Sequence, residues 1–314
     1  MNHAIEINRE QVRRALTPAA AAMAAQARGA RNGRGVPYLL ASLVQHVRRV
    51  FSGGPPARPD SMIPLIAVTL ASFVAGFVNA IAGGGGLVSV PALFGIFPQA
   101  PSAELFGTNK VAMLSGTLQA AGAYARRVTL PWQTLLPAVV AAVVGAALGA
   151  TAVTLVPNDF VRRLLPLVLA VVLAQTLLQP DLGTVHAPRH GPRSEALLAG
   201  GIAFSLGLYD GFFGPGTGSF LIFLCVRILG FDFLHAVASA KVLNAATNLG
   251  AIAVFASTGN VRWQLVGPMI VANVAGSLLG THLALRHGSR FIRAVFAVVV
   301  GALILKTGYD AYAG

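Results

Sequence analysis

Two stretches decide how this chain folds: Gly76–Leu93, GFVNAIAGGGGLVSVPAL, and Gly207–Phe220, GLYDGFFGPGTGSF. Each begins as an apolar helix and stops at a cluster of glycines. The clusters are Gly83-Gly84-Gly85-Gly86 in the first and Gly214-Pro215-Gly216-Thr217-Gly218 in the second. Four successive glycines hold a helix poorly, and Pro215 removes a donor and kinks the backbone. After each break comes a short apolar run, Leu87–Phe97 and Ser219–Leu229. At 1.5 Å per residue such a run reaches about 16 Å, half of a bilayer, so both read as half-helices.

The surroundings of these breaks are apolar. Residues of the hydrophobic class make up 55% of the 314-residue chain and charged residues 11%, with a mean hydropathy of +0.70. An ordinary soluble domain carries about 25% charged residues. This composition excludes a soluble enzyme, a disordered chain and a disulfide scaffold, and it makes lipid the solvent for much of the surface. With Cys225 as the single cysteine, no internal disulfide forms and no CxxC metal site exists. Long helices are expected at 63–82, 104–125, 134–156, 160–179, 195–212, 234–256, 264–285 and 290–311, each near the ~20 residues that cross hydrocarbon.

Shifting the sequence by 131 positions superimposes the two breaks. Gly83 falls on Gly214, Gly85 on Gly216, Lys110 on Lys241, Trp132-Gln133 on Trp263-Gln264, Pro137 on Pro268, Gly145 on Gly276, Gly149 on Gly280 and Arg162 on Arg293. Chance apolar similarity does not align Lys, Trp-Gln, Pro and paired Gly in one register. The expected organisation is a basic, loosely ordered arm (1–61), a membrane repeat (62–180), a linker loop (181–194) and a second membrane repeat (195–314). The fold class is an all-α polytopic membrane bundle of about eight transmembrane helices plus two re-entrant half-helices. If the half-helices dip in and return, four spans per half make the repeats parallel; if they cross, five spans invert them. The positive-inside rule favours the former, because Arg126, Arg127, Arg189, Arg193 and Arg262 then share the cytoplasm with the arm.

The arm holds nine arginines against Glu6, Glu10 and Asp60 and accounts for much of the +13 net charge. A basic tail on a membrane protein reads as a cytoplasmic retention signal, not as a nucleic-acid binder. Tyr38–Phe51 has the pattern of a short interfacial helix, and Met62 is an alternative start directly before the first apolar segment.

Inside the membrane the polar residues are few. Unwound backbone at that depth must face protein or water, and the half-helix that starts there aims free N–H groups at the break, which suits an anion. Glycine for close helix packing is the alternative reading. Lys110 and Lys241, the only lysines between 62 and 300, each lie about two turns inside a long helix. Snorkelling competes with a shared functional site there. Near them are Thr108 and Asn109 in one half, and Ser239, Asn244 and Asn248 in the other; Lys241, Asn244 and Asn248 share a helix face. Asp210 sits directly before the second break, and its repeat partner is the neutral Asn79. It reads as a proton-coupling group, a counter-ion for Lys241, or a cap for the half-helix. Glu104 and Asp232 fit helix starts and receive no chemistry; His235 and His282 have no metal-ligand spacing and read as structural. No cofactor is implied.

On the stretches quoted above, together with GTNKV (Gly107–Val111), GFDF (Gly230–Phe233), AKVLNAATNL (Ala240–Leu249) and GNVRWQ (Gly259–Gln264), the chain resembles the TauE/SafE family of sulfite and sulfonate exporters. The resemblance covers 63–311 and spares the arm. It implies a multi-pass protein of the bacterial inner membrane that moves a small, often sulfur-containing anion. The expected function is therefore a secondary transporter of a small oxyanion working by alternating access of two halves, with protons as a candidate coupling ion and a homo-oligomer compatible with the pattern. The anion would lie against Gly83, Gly84, Gly85, Gly86, Gly214, Gly216, Thr217 and Gly218. A passive anion channel, a membrane-embedded enzyme and a non-transporting scaffold are the competing classes.

Overall fold

The computed structural model describes residues 62–178 and 191–287. The arm, most of the linker and the helix expected at 290–311, with Arg290 and Arg293, lie outside the described residues. Among the described residues every regular element is a helix. In chain order these are α1 (Met62–Ala82), α2 (Gly86–Ile96), α3 (Ser102–Ala125), α4 (Trp132–Thr154), α5 (Asn158–Leu178), α6 (Pro192–Phe212), α7 (Thr217–Leu224), α8 (Phe233–Ser257) and α9 (Trp263–His287). A π turn, Cys225–Leu229, extends α7. Four of them, α1, α4, α8 and α9, are long and apolar enough to cross a membrane. The other long helices, α3, α5 and α6, carry more polar side chains, among them Lys110, Arg162 and Asp210.

The breaks act as the local chemistry demands. Gly83 ends α1 at φ +77°, while Gly214 (φ +90°) and Gly216 (φ +83°) turn the chain between α6 and α7. These are left-handed conformations in which a Cβ is strained. Outside the breaks, Asp232 caps α8 by accepting from the Leu234 and His235 amides. Partial burial acts to raise its carboxyl pKa, but the bonds from His235 and Leu234 outweigh this and hold it below the ordinary value. His235 pairs with the same carboxylate.

Long helices pack through small residues, because a glycine lets one backbone approach another. A methyl at Gly145 would meet the Phe204 carbonyl and one at Gly149 that of Leu208; at Gly276 and Gly280 it would meet Phe73 and Phe77. Gly207 lies against Ala142, and Gly76 against Asn273. Each of these three contacts between α4 and α6 thus reappears between α9 and α1 with both members displaced by 131 positions. Large apolar residues line the outside instead: Leu136, Val140, Val144 and Leu148, four apart along α4, are 60%, 64%, 48% and 51% exposed. A stripe of that size on a soluble monomer would be anomalous, and here it is the lipid-facing surface.

These contacts also fix the direction of the helices. Pairings rise together along α4 and α6 (145 with 204, 149 with 208) and along α1 and α9 (73 with 276, 77 with 280), so both pairs are parallel. On α9, Asn273 bonds Met113 and Ser277 bonds Gln119, so α9 also runs with α3. In contrast, the start of α3 meets the end of α8. Gly107 lies against Phe255 and Asn260, and Arg262 binds Glu104 and Thr108. α3 and α8 correspond under the 131-residue shift, yet they are antiparallel. The expectation of parallel halves is therefore corrected. The reason is geometric: α2 returns to the side from which α1 started, bringing Phe97 and Ala100 to Arg162 at the start of α5. A hairpin of α1 and α2 makes no net crossing, so α3, α4 and α5 leave the first half on the opposite side.

Candidate functional site

The two glycine breaks meet. A Cβ on Gly83 would overlap the backbone of Gly218 and Ser219, and one on Gly218 would overlap Gly83 and stand 3.0 Å from Asn244 Nδ2. Gly86 faces Pro215, where a methyl would come to 3.1 Å of the proline Cα. Ser219 ties the breaks together, its hydroxyl donating to the Ala82 carbonyl at 2.6 Å. Within the second break, Thr217 donates to the Gly214 carbonyl (3.0 Å) and the Tyr209 hydroxyl to that of Pro215 (2.6 Å). These bonds hold unwound backbone in one shape, which membrane depth requires. The amides of Gly84, Gly85, Gly86, Gly216, Gly218 and Ser219 donate to no acceptor among the described residues.

Both lysines lie beside the junction and point inward. Lys110 is 3% and Lys241 1% exposed, so neither snorkels. Lys110 Nζ pairs with Asp210 at 2.6 Å, and a methyl at Gly214 would stand 2.9 Å from the same nitrogen. Lys241 Nζ donates to the backbone carbonyl of Asn79. Two expectations for Asp210 are thereby corrected. It is not the counter-ion of Lys241, because the antiparallel crossing of α3 and α8 carries each lysine to the other half. Nor does it cap the half-helix: the cap position of α7 is Gly216, with no side-chain bond. Positions 79 and 210 play matched parts, each receiving the lysine of the opposite half, but only one offers a carboxylate.

The remaining candidates divide. Asn244 reaches the junction; Asn248 Nδ2 donates to Asn244 Oδ1 (3.1 Å), which orients that side chain, and Thr247 donates to the Asn244 backbone carbonyl. The Asn79 side chain donates to Thr117 Oγ1 at 3.0 Å. Asn109 Oδ1 and the Ser239 hydroxyl are buried and have no hydrogen-bond partner among the described residues. Thr108 is engaged elsewhere, donating to the Glu104 carbonyl and accepting from the Arg262 amide. Glu104, read as a helix start, does lie in the first turn of α3, and it also binds Arg262 Nε at 2.8 Å. Ser219, Tyr209 and Thr117 were not singled out from sequence. No signal marked Ser219, whose 131-residue counterpart is Val88. Among the described residues no group of His, Cys, Asp or Glu is arranged to hold a metal ion.

A multi-pass helical bundle with charged residues and broken helices at its centre defines a class, the membrane transporters. Sequence comparison narrows it. The family model "Sulfite exporter TauE/SafE" matches residues 68–307, and this chain belongs to that family. Three relatives carry the name "Probable membrane transporter protein". The ORF9 protein of Sinorhizobium sp. is 35% identical over 76% of this chain and 89% of its own length. A Haemophilus influenzae protein is 33% identical over 80% and 97%. YfcA of Escherichia coli K12 is 34% identical over 77% and 88%. The family and these relatives are named for transport and not for catalysis. No solved structure matches the chain.

Proposed function

We propose that the protein is a secondary transporter of a small oxyanion, with the substrate site where the two glycine breaks touch. The observation that carries this reading is the meeting of two unwound segments at one buried junction with Lys110 and Lys241 beside it, six amides of the breaks having no acceptor among the described residues. Free N–H groups at helix starts and buried ammonium groups are the elements from which proteins build anion sites. The 131-residue correspondence and the opposed directions of α3 and α8 fit two inverted repeats rocking about the junction, an arrangement in which the site opens to one side at a time. Asp210 is the coupling group in this reading, as the buried carboxylate held beside the junction by Lys110. The contact of Gly83 with Gly218 supports a transporter over a channel, because the backbones leave no passage between them. The protein would reside in a bacterial plasma membrane with its basic arm in the cytoplasm.

Flux of radiolabelled sulfite or thiosulfate into proteoliposomes tests the reading. Lys241→Ala and Lys110→Ala are expected to reduce anion-dependent flux at least tenfold per folded protein, the folded fraction being measured in each preparation. Wild-type rates in both variants would overturn the site assignment. Flux indifferent to an imposed proton gradient would remove Asp210 from the coupling role.

A further inference from the structure

Charge at the junction does not balance. Lys110 and Asp210 cancel at 2.6 Å, both buried. Lys241 faces only the Asn79 carbonyl, a dipole without net charge, and no carboxylate among the described residues pairs with it. Another buried acid, Glu195, accepts from Thr134 at the start of α4 and α6. The free amides of the breaks and the Asn244 amide add dipoles but no net charge. With both lysines protonated, the described groups around the junction therefore sum to a single positive charge, in a setting where an unmatched charge is costly.

We infer that Asp210 sets the valence of the anion: by neutralising Lys110 it leaves Lys241 as the one unbalanced cation, so the site accepts a singly charged oxyanion and discriminates against a doubly charged one. The inference rests on the anion-site reading above and deepens it. A monoanion closes the site at zero net charge, whereas a dianion leaves one negative charge buried in an apolar bundle. Discrimination then comes from the repulsive element, Asp210, as much as from the attractive one. The matched position explains how the preference is written into the chain. Asn79 stands where Asp210 stands, 131 residues earlier, and differs in having an amide in place of the carboxylate. A carboxylate at 79 would neutralise Lys241 as Asp210 neutralises Lys110.

Methanesulfonate and sulfate make a suitable probe pair, since both are tetrahedral and close in size but carry one and two charges near neutral pH. Equilibrium binding to detergent-purified full-length protein, at one pH and ionic strength, reads the ratio of their affinities. Wild type is expected to favour methanesulfonate. Asp210→Asn should move the ratio toward sulfate by at least tenfold, about 1.4 kcal/mol. Asn79→Asp should weaken both anions by at least tenfold, and the double variant Asp210→Asn/Asn79→Asp should restore the wild-type preference. If Asp210→Asn does not fold, Asn79→Asp decides: retained methanesulfonate affinity in that folded variant overturns the inference. A wild-type preference for sulfate, or a ratio unmoved by Asp210→Asn, also overturns it while leaving the anion site standing. Failure of wild type to bind either anion would remove the site itself, and the valence rule with it.

Discussion

Replacing Gly83 by alanine probes the contact on which the functional site depends. Two costs add at this position. The φ of +77° is a left-handed conformation, which costs an L-residue about 1–2 kcal/mol. The new methyl would also overlap the carbonyl carbon of Gly218 and the amide nitrogen of Ser219. Those atoms are backbone, which cannot rotate away, and overpacking of this kind costs about 1–3 kcal/mol. The expected destabilisation is therefore about 2–5 kcal/mol, with the breaks pushed apart and transport lost. Cys225, the single cysteine and 1% exposed, supplies the assay: a thiol-reactive fluorophore added during a thermal ramp reports when the bundle opens. Gly122→Ala is the control, since a methyl there meets nothing within 4 Å and alanine is the better helix former by about 0.5–1 kcal/mol. A Gly83→Ala protein that labels at the control's temperature and retains flux would show that the breaks do not touch as described.

Further outcomes follow from other contacts. Lys110→Met strands the Asp210 carboxylate in the bundle and should cost about 3–5 kcal/mol, whereas Lys110→Met/Asp210→Leu should recover most of that stability; the same thiol assay compares them. Arg262→Ala removes the bond to Glu104 and the stacking over Phe97 (4.9 Å to the ring centroid), and should loosen the junction between the start of α3 and the α8–α9 turn. Faster amide exchange confined to 102–108 and 257–263 would check it. Asp232→Ala deletes the cap of α8 at a cost of about 1 kcal/mol. Because that carboxyl titrates below its ordinary value, its contribution is present above the ordinary carboxyl range and fades as pH falls through the lowered folded value. Asp232→Ala should thus lose less relative to wild type in acid than at neutral pH, measured by the same thermal ramp.

Parts of this architecture are legible along the chain. Apolar runs near 20 residues, broken by glycine clusters, forecast α1, α4, α8 and α9 to within two residues, because rise per residue and loss of helical restraint are local properties. The half-helices were equally plain, although the π turn at Cys225–Leu229 was not, since an extra residue per turn leaves no mark in composition. The pairing at the site was less accessible. Lys110 and Asp210 lie 100 positions apart, and nothing along the chain pairs one with the other.

What the residues alone determined is the set of parts: membrane-length helices, two interruptions repeated every 131 positions, two lysines and one acid placed beside them. Hydrophobic run length, backbone freedom and the rarity of ionisable groups in apolar segments are enough for that. Which way the halves run, and hence that Lys110 meets Asp210 while Lys241 meets the carbonyl of Asn79, was decided by packing. Glycine faces on α4 and α6, and on α1 and α9, pack backbone to backbone with those helices parallel. That leaves α3 and α8 crossing in opposite directions at the centre, and each lysine in the other half's break.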